Sequence, residues 1–356
     1  MLLSLFFLCE ISVWAQQIGY TIRGTIAGKD NTLLTLVVAK GVELDTLGTT
    51  SLSRGSFDFS GKVDGVRSGY ILAPGGQLVA SFMLENADYT ISDGGIVTGG
   101  GAAQALFARF NALNEELLVE RKKLEEAYRE AEAAGDSKKA QAVDARFRDF
   151  LADMQARELK LLMENADSYV AAHVVASTMT EVGLEKLRQR FELLGESAKA
   201  SDWGKAIEDQ IIRYERVEVG GIAPDFEIPS RDGGVVSLQG TKAKVKIIDF
   251  WASWCAPCRQ GNVNLVKLYQ QYRPRGLEII SVSLDDNRQA WEKACGEDGM
   301  LWLNGSDLKG QFSPLVSLYC LRGIPANFIL DEENRIVAKN LFGKQLQQKI
   351  AELLGK

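Results

Sequence analysis

The sequence predicts a multidomain protein with an N-terminal all-β domain, a central helical region and a C-terminal α/β domain. The first observation is length, because 356 residues exceed what a single hydrophobic core usually serves. The second is that short apolar runs between turn residues give way to charged segments with helical spacing. The third is that strand and helix patterns alternate through the last part of the chain, which is typical of an α/β fold.

The N-terminus, residues 1–15, has the pattern of a signal peptide. Leu2 to Leu8 form a short apolar run, and Ala15 supplies a small residue at the expected cleavage position. The apolar run is too short to span a bilayer as a helix. We therefore expect export to the periplasm or cell envelope.

Residues 16–101 are expected to form a β-sandwich-like domain. Gly, Asn, Asp and Ser separate its predicted strands at the spacing of roughly 8–12 residues that is typical of sandwiches and barrels. The predicted strands lie in YTIRGTIAG, NTLLTLVVA, SFDFSGKV, GYILAPG and QLVASFML. The glycine cluster GGIVTGGG closes this segment and indicates a boundary.

Residues 102–216 are expected to be helical. Apolar residues recur at helical spacing in two successive segments, as Leu113, Leu117, Leu124 and Tyr128, then as Val143, Phe147, Phe150 and Met154. Asp136 or Ser137 is expected to cap the second helix, which makes the pair an antiparallel hairpin. The charged residues between the apolar ones indicate solvated faces. His173 lies in an apolar helix and is expected to pack in a core.

Residues 217–356 alternate between strand and helix patterns. The predicted strands are KVKIIDF, LEIISVSL, ANFILD and RIVAKNLF. The predicted helices are CRQGNVNLVKLYQQY, NRQAWEKACGED and KQLQQKIAELLGK. This alternation predicts an α/β layered domain.

Composition excludes several classes of function. A net charge of −6 and a pI of about 5.2 argue against nucleic-acid binding, because no basic surface is available to neutralise phosphates. The single histidine argues against a multi-histidine metal centre or a histidine-based triad. We expect neither a metal nor a cofactor.

The stretch WASWCAPCRQG places Cys255 and Cys258 within one helical turn, directly after a predicted strand. The start of a helix has unpaired N–H groups and the positive end of the helix dipole, which favour a thiolate. A cysteine there can have its pKa lowered from about 8.5 to between roughly 3.5 and 7.5. Pro257 is compatible with the first helical turn because its missing N–H would be unpaired anyway.

Two other interpretations of the pair compete with a redox function. A zinc site needs four ligands, and only the isolated Cys295, Cys320 and His173 are available elsewhere in the mature chain. If the two cysteines were only buried and unreactive, their position directly after a strand, at the start of a helix and beside a proline would be unexplained. A redox pair is therefore favoured. Cys295 and Cys320 are expected to be buried free thiols, although a disulfide between them stays open.

The segment IIDFWASWCAPCRQ resembles the active-site segment of the thioredoxin superfamily. GIAPDF upstream and RGIPANFILD downstream are similar to its TlpA/ResA branch, so the resemblance covers residues 217–356. It implies a thioredoxin-like fold and thiol-disulfide oxidoreductase activity. The preceding β and helical regions are similar to an N-terminal module of unknown function found before thioredoxin domains in bacterial envelope proteins.

The resemblance implies catalytic roles for three residues. Cys255 is the exposed attacking thiolate, Cys258 is the resolving thiol, and the two form the redox-active disulfide. Asp249 matches the buried acid beneath that disulfide, where a raised pKa would let it exchange a proton with Cys258. Trp251 is expected in the core.

The substrate-binding surface implied by the same resemblance comprises Trp254, Ala256, Pro257, Ile324 and Pro325. The Ile324–Pro325 bond is expected to be cis and to lie opposite the two cysteines, since cis bonds are essentially confined to proline.

Two positions depart from the ResA-like pattern. That branch commonly has a glutamate three residues after the second cysteine, where this chain has Gly261, and Val263 replaces a frequent proline. The departure leaves Asp249 as the one evident base and puts a role in cytochrome c maturation in doubt.

The dipeptide Ala256-Pro257 resembles the Gly-Pro of reductants more than the Pro-His of strong oxidants. The expected function is therefore the reduction of disulfide-containing protein substrates. An electron donor at the membrane would re-reduce the pair, because the envelope is oxidising. A homo-oligomer is compatible with the sequence.

Two alternative functions stay open at this point. GIAPDF also occurs in peroxiredoxins, but the positions of their catalytic Pro and Thr or Ser hold Ile248 and Ala252 here. Alternatively, the chain is a binding or stress-related scaffold in which the thioredoxin fold is secondary.

Overall fold

The computed structural model describes residues 19–355, so the predicted signal peptide lies outside the described residues. The chain divides into two compact units. The N-terminal unit contains the residues up to Ser177 together with Gln189–Ile207, and the C-terminal unit contains Thr178–Arg188 together with the residues from Glu208 onward. Within the described residues, no helix is both long and apolar enough to cross a membrane.

The N-terminal unit begins with two four-stranded sheets, ordered β4-β1-β7-β8 and β3-β2-β5-β6. Ile22 and Phe59 of the first sheet share a buried cluster with Leu36 and Phe82 of the second, so the core lies between the sheets, as in a sandwich. The strands are β1 Tyr20–Thr25, β2 Leu33–Lys40, β3 Glu43–Ser51, β4 Ser56–Gly61, β5 Arg67–Ala73, β6 Gln77–Leu84, β7 Asp88–Ser92 and β8 Ile96–Gly99.

Some strands of this unit were not anticipated. β3 contains no buried residue and therefore lacks the apolar alternation that marks a strand in the sequence. β8 lies inside the glycine cluster that was expected only to mark a boundary. Pairing with β2 and β7 forms these strands despite their weak local pattern.

The helices follow the sheets as α1 Ala102–Ala133, α2 Ser137–Glu164, α3 Tyr169–Ser177, α4 Leu184–Glu192, α5 Glu196–Ala200 and α6 Asp202–Arg216. Asp136 caps α2, since its carboxylate accepts a hydrogen bond of 3.0 Å from the Lys139 amide. Arg157 on α2 donates to both carboxylate oxygens of Glu116 on α1, at 2.7 and 2.8 Å. The two long helices thus form the expected hairpin.

His173 on α3 is packed between two aromatic rings, with ring centroids 5.4 Å from both Phe107 and Trp203. Its Nδ1 lies 2.9 Å from the Ser68 hydroxyl oxygen, which accepts a hydrogen bond from the Trp203 indole at 2.9 Å. Burial lowers the pKa of His173 to about 4, so the ring is neutral at pH 7.

The C-terminal unit is built on a five-stranded sheet ordered β13-β12-β11-β14-β15. Its elements are β9 Glu227–Pro229, β10 Val235–Ser237, β11 Val245–Trp251, α7 Ala256–Tyr272, β12 Leu277–Ser283, α8 Arg288–Glu297, β13 Leu303–Gly305, α9 Pro314–Leu318, β14 Ala326–Leu330, β15 Ile336–Lys339 and α10 Gly343–Leu354. The central strand β11 is buried along its whole length, with apolar clusters on both faces of the sheet.

Strand direction positions the functional residues. β12 runs parallel to β11, and β13 runs parallel to β12. β14 is antiparallel to both β11 and β15, so β15 also runs in the direction of β11. The segments that follow β11, β12, β13 and β15 therefore meet at one edge of the sheet, as ligand-binding segments do in α/β folds.

The C-terminal unit extends beyond the predicted domain start at residue 217. It includes the second half of α6 and the segment Thr178–Arg188. The Tyr214 hydroxyl of α6 donates a hydrogen bond of 2.9 Å to the Val182 carbonyl, which ties these two segments together. The domain boundaries drawn from the sequence stay predictions.

Candidate active site

The two cysteines lie where β11 ends and α7 begins. Cys255 is the N-cap of α7, and its sulfur accepts a hydrogen bond of 3.3 Å from the Cys258 amide. Cys255 and Cys258 form a disulfide, with their Cα atoms 5.3 Å apart. Pro257 lies in the first helical turn, where it costs no hydrogen bond.

The exposure of the cysteines differs from expectation. Cys255 was expected to be the exposed thiol, but it is only 5% exposed and Cys258 is 3% exposed. The reason is that both sulfurs are joined and belong to the apolar cluster on one face of the sheet. Ala256 and Pro257 are exposed beside them, and the Trp254 side chain is 66% exposed.

Asp249 lies on β11, two residues before the end of that strand, and is buried. Burial raises its pKa to about 6, while a hydrogen bond of 2.9 Å from the Ser281 hydroxyl acts in the opposite direction. The Ser281 oxygen in turn accepts a hydrogen bond of 2.8 Å from the Trp302 indole. The carboxyl group can therefore change protonation state close to neutral pH.

The Ile324–Pro325 peptide bond is cis and directly precedes β14. β14 pairs with β11 so that Asn327 lies opposite Asp249, which brings the proline to the active-site edge. A cleft of about 50 Å³ opens there and is lined by, among others, Asp249, Pro257, Cys258 and Pro325. Trp254, Cys255, Ala256 and Ile324 are not among its lining residues.

Gly261 also lines this cleft, one helical turn after Cys258. A Cβ atom placed on Gly261 would meet nothing within 4 Å, so the position is open. Among the described residues that line the cleft, Asp249 is the single acid. Val263, the other departure from the ResA-like pattern, is 53% exposed.

Asp285 is a positioning residue that the sequence analysis missed. Its carboxylate accepts a hydrogen bond of 2.9 Å from the Ser253 amide and one of 2.5 Å from the Ser253 hydroxyl. These bonds hold the loop between β11 and Cys255. Its position directly after a predicted strand, in SLDD, was the available signal, because acids at the carboxyl end of parallel strands face the site.

Arg259 is a second positioning residue that was missed. It donates to Asp298 at 2.6 Å and to Glu297 at 3.0 Å, and its Nη1 lies 3.4 Å from the Ser253 carbonyl oxygen. These contacts join the start of α7 to the end of α8. They could not be inferred from the sequence because the partners lie nearly forty residues away from Arg259.

The two remaining cysteines of the described residues are free. Cys295 is fully buried, and burial raises the pKa of its thiol to about 11. Cys320 is half-buried rather than buried, and its sulfur accepts a hydrogen bond of 3.7 Å from Gln210. Burial also raises the pKa of the Cys320 thiol. Neither thiol is activated as a nucleophile in this state.

Comparison with known proteins gives two family matches. Residues 218–352 match the Redoxin family, and residues 20–105 match a domain of unknown function (DUF4369). The thiol-disulfide oxidoreductases ResA of Bacillus thuringiensis (strain Al Hakam) and of Bacillus anthracis are each 27% identical over 142 residues. Each alignment covers 40% of this chain and 80% of the relative.

Among solved structures, the C-terminal domain of a putative thiol-disulfide oxidoreductase from Bacteroides thetaiotaomicron is 32% identical. The match covers 39% of this chain and 97% of that one, with a TM-score of 0.38. A putative thiol:disulfide interchange protein DsbE from Chlorobium tepidum is 30% identical, with a TM-score of 0.36.

The protein is a member of the thioredoxin superfamily. Three findings define this class: the α/β domain with its five-stranded sheet, the disulfide at the start of α7, and the Redoxin match. Within the superfamily, the sequence relatives identify the chain as a TlpA/ResA-like protein. It is a thiol-disulfide oxidoreductase whose thioredoxin-like domain follows a β-rich N-terminal region and central helices.

Proposed function

We propose that the protein reduces protein disulfides in the cell envelope by dithiol-disulfide exchange at Cys255 and Cys258. The observation that carries the proposal is that Cys258 of the disulfide and the buried acid Asp249 line the same cleft, beside Pro325. The location of Cys255 at the start of a 17-residue helix supports a nucleophilic role, because the helix dipole stabilises a thiolate there.

In the proposed reaction, the Cys255 thiolate attacks one sulfur of a substrate disulfide. The substrate S–S bond breaks, a mixed disulfide forms, and the second substrate sulfur leaves as a thiolate that takes up a proton. The Cys258 thiolate then attacks the Cys255 sulfur and releases the first substrate thiol. Two electrons pass from the cysteine pair to the substrate, and Cys255 and Cys258 are left as a disulfide.

Asp249 is proposed to accept the proton of the Cys258 thiol before the second attack and to return it when the pair is reduced. A pKa of about 6 suits this exchange at neutral pH, because a carboxylate is then available without the full cost of a permanently buried charge. Because position 261 is a glycine, Asp249 is the single carboxylate among the described residues that line the cleft.

The exposed residues around the disulfide are proposed to contact substrate. Trp254 presents an aromatic surface, and Ala256 and Pro257 border the disulfide. Pro325, which is half-buried and follows Ile324 through a cis bond, lines the same cleft as Cys258. The signal peptide expected from residues 1–15 of the sequence supports an envelope location. In that oxidising compartment a membrane-bound electron donor would have to restore the dithiol.

The reduction potential of the pair tests the proposal. We expect equilibration against dithiothreitol or glutathione buffers to give a value below about −220 mV, on the reductant side of the scale. A value near −120 mV would indicate an oxidant and contradict the proposed direction.

Two variants test the order of attack. Cys258→Ser should accumulate a mixed disulfide through Cys255, whereas Cys255→Ser should form none. Peroxide consumption by Cys258→Ser without any exchange with disulfides would favour a thiol peroxidase instead. Retention of every cellular effect by the Cys255→Ser variant would favour a scaffold.

A further inference from the structure

The edge strand β3 of the N-terminal unit has no partner on its outer side among residues 19–355. It is the first strand in the order β3-β2-β5-β6 and pairs with β2 alone. None of its nine residues is buried, and no hydrogen bond from the described part of the chain reaches its outer side. In an antiparallel pair, alternate residues turn their N–H and C=O groups away from the partner, so roughly half of these groups in β3 face solvent.

The opposite edge of the same sheet is covered by side chains. The Met83 amide of β6 donates a hydrogen bond of 2.8 Å to the buried Gln104 side chain of α1. The Tyr89 hydroxyl donates one of 2.9 Å to the Met83 carbonyl. Proteins commonly cover edge strands in this way, because an open edge is a template for pairing with another chain. The contrast with β6 indicates that β3 is left open for a partner strand.

The remaining sheet edges are either covered or shorter. In the C-terminal sheet, the Arg231 amide donates to the Asn304 carbonyl of β13 at 3.0 Å. The Gly220 amide donates to the Ile336 carbonyl of β15 at 2.8 Å. The edge strands of the other N-terminal sheet, β4 and β8, have six and four residues. β3 is thus the longest open edge strand in the described part of the chain.

The composition of β3, ELDTLGTTS, favours pairing. The strand lacks Lys, Arg and Pro, which commonly protect an exposed edge. Leu44 is 55% exposed and Leu47 is 39% exposed. Thr46 and Gly48 pair with consecutive residues of β2, so Leu47 between them is the extra residue of a bulge and has no partner on β2. β3 therefore offers exposed apolar side chains together with its free backbone groups.

We propose that β3 pairs antiparallel with β3 of a second copy of this chain, which joins the two sheets into one continuous sheet. The charge distribution of β3 is complementary to itself in this direction. Its acids, Glu43 and Asp45, lie at one end, whereas residues 49–51 at the other end are uncharged. Antiparallel pairing places each acidic end beside an uncharged end. Parallel pairing in register would place each acid opposite its own copy, which is destabilising.

The pairing supplies enough contacts for association. Nine residues paired antiparallel form roughly eight backbone hydrogen bonds, and a typical interface has about ten. A single strand pair covers less area than a permanent dimer needs, so the dimer is expected to dissociate on dilution. Leu47 is the central residue of β3, which places its two copies beside the two-fold axis, on strands about 4.8 Å apart.

Charge exchange at Leu47 tests the proposal. Leu47→Glu and Leu47→Lys each place two like charges beside the axis, and each should raise the Kd of the dimer at least about 10-fold because the charges repel. An equal mixture of the two variants should restore the dimer, since opposite charges then face each other. Ile96→Glu and Ile96→Lys are matched controls, because Ile96 is 62% exposed on the edge strand β8 of the other sheet. They should leave the Kd unchanged.

Sedimentation velocity of the intact protein over a range of concentrations measures the Kd, with dithiothreitol present to exclude dimers linked by disulfides. Hydrogen–deuterium exchange of residues 43–51 locates the interface. This exchange should slow as the concentration of the wild type rises and should stay fast in Leu47→Glu. A wild type that is monomeric throughout, a variant mixture that stays monomeric, or a dimer in which exchange of β3 does not slow would overturn the proposal.

Discussion

The two units of this protein contain the same hydrogen-bonded arrangement around different titratable groups. In the N-terminal unit, the Trp203 indole donates to Ser68, whose oxygen lies 2.9 Å from His173 Nδ1. In the C-terminal unit, the Trp302 indole donates to Ser281, which donates to Asp249 at 2.9 Å. Each arrangement is a tryptophan, a serine and one ionisable side chain, which is half-buried for His173 and buried for Asp249.

The surroundings of the two arrangements differ. His173 is enclosed by the Phe107 and Trp203 rings, whereas Asp249 lines a cleft together with Cys258. Burial disfavours the charged form of both groups, so the pKa of His173 falls to about 4 and that of Asp249 rises to about 6. A perturbed pKa therefore indicates a catalytic group only where a reacting atom is within reach.

The two shifts also have opposite consequences for stability. His173 binds a proton more weakly in the folded state than in the unfolded state. Its stabilising contribution to the unfolding free energy is therefore present above pH 6.5 and is lost as the pH falls towards 4. Asp249 binds a proton more strongly in the folded state than in the unfolded state. Its stabilising contribution to the unfolding free energy is therefore present below pH 3.8 and is lost as the pH rises through 6.

The largest expected effect concerns His173. We expect the N-terminal unit to lose roughly 3 kcal/mol of unfolding free energy between pH 6.5 and pH 4 because of this residue. His173→Asn should remove that part of the pH dependence. Urea unfolding at several pH values, with hydrogen exchange of the α3 amides as the local signal, measures it. If the unfolding free energy of His173→Asn fell with pH as steeply as that of the wild type, His173 would not be the residue responsible for this loss.

The second effect concerns the stability of the C-terminal unit. Asp249→Asn should raise its unfolding free energy by roughly 3 kcal/mol at pH 8 relative to pH 4, because the variant no longer buries a charge. Urea unfolding of the disulfide form at both pH values, followed through the β11 amides, tests this. A variant that is no more stable at pH 8 than the wild type would show that the carboxylate is well solvated.

The third effect separates catalysis from stability. Asp249→Asn should slow disulfide exchange at pH 7 about 100-fold, as expected for loss of a general acid-base group. His173→Asn should leave the rate within about twofold, because no reacting atom lies beside it. Stopped-flow reduction of a peptide disulfide measures both rates. A comparable loss in both variants would mean that the effect of Asp249 is only structural.

The smallest effect concerns Ser281, which donates a hydrogen bond to Asp249. Ser281→Ala should raise the pKa of Asp249 further, by roughly half a unit to one unit, because one hydrogen bond to the carboxylate is lost. Ser281→Thr, which retains a hydroxyl, is the matched control. The pH dependence of the exchange rate reports the pKa, and a downward shift in Ser281→Ala would contradict the assigned direction.

Much of the fold was predictable from local patterns. β11, β12, β14 and the helices α7, α8 and α10 coincide with apolar runs whose periodicity is evident in the sequence. The exposed strand β3 and the strand β8 within the glycine cluster were not predictable, because pairing with neighbouring strands rather than their own composition forms them. The inclusion of Thr178–Arg188 in the C-terminal unit had no local signal either.

The sequence by itself determined the local chemistry: a cysteine pair three residues apart, a proline in the first helical turn and a strand directly before them. Resemblance added candidate roles for Asp249 and Pro325. The tertiary structure alone decided that the Ser281 hydroxyl donates to Asp249 and that the Trp302 indole donates to Ser281. The physical reason is that these contacts join segments roughly twenty to thirty residues apart, through the order and register of strands that local spacing does not specify.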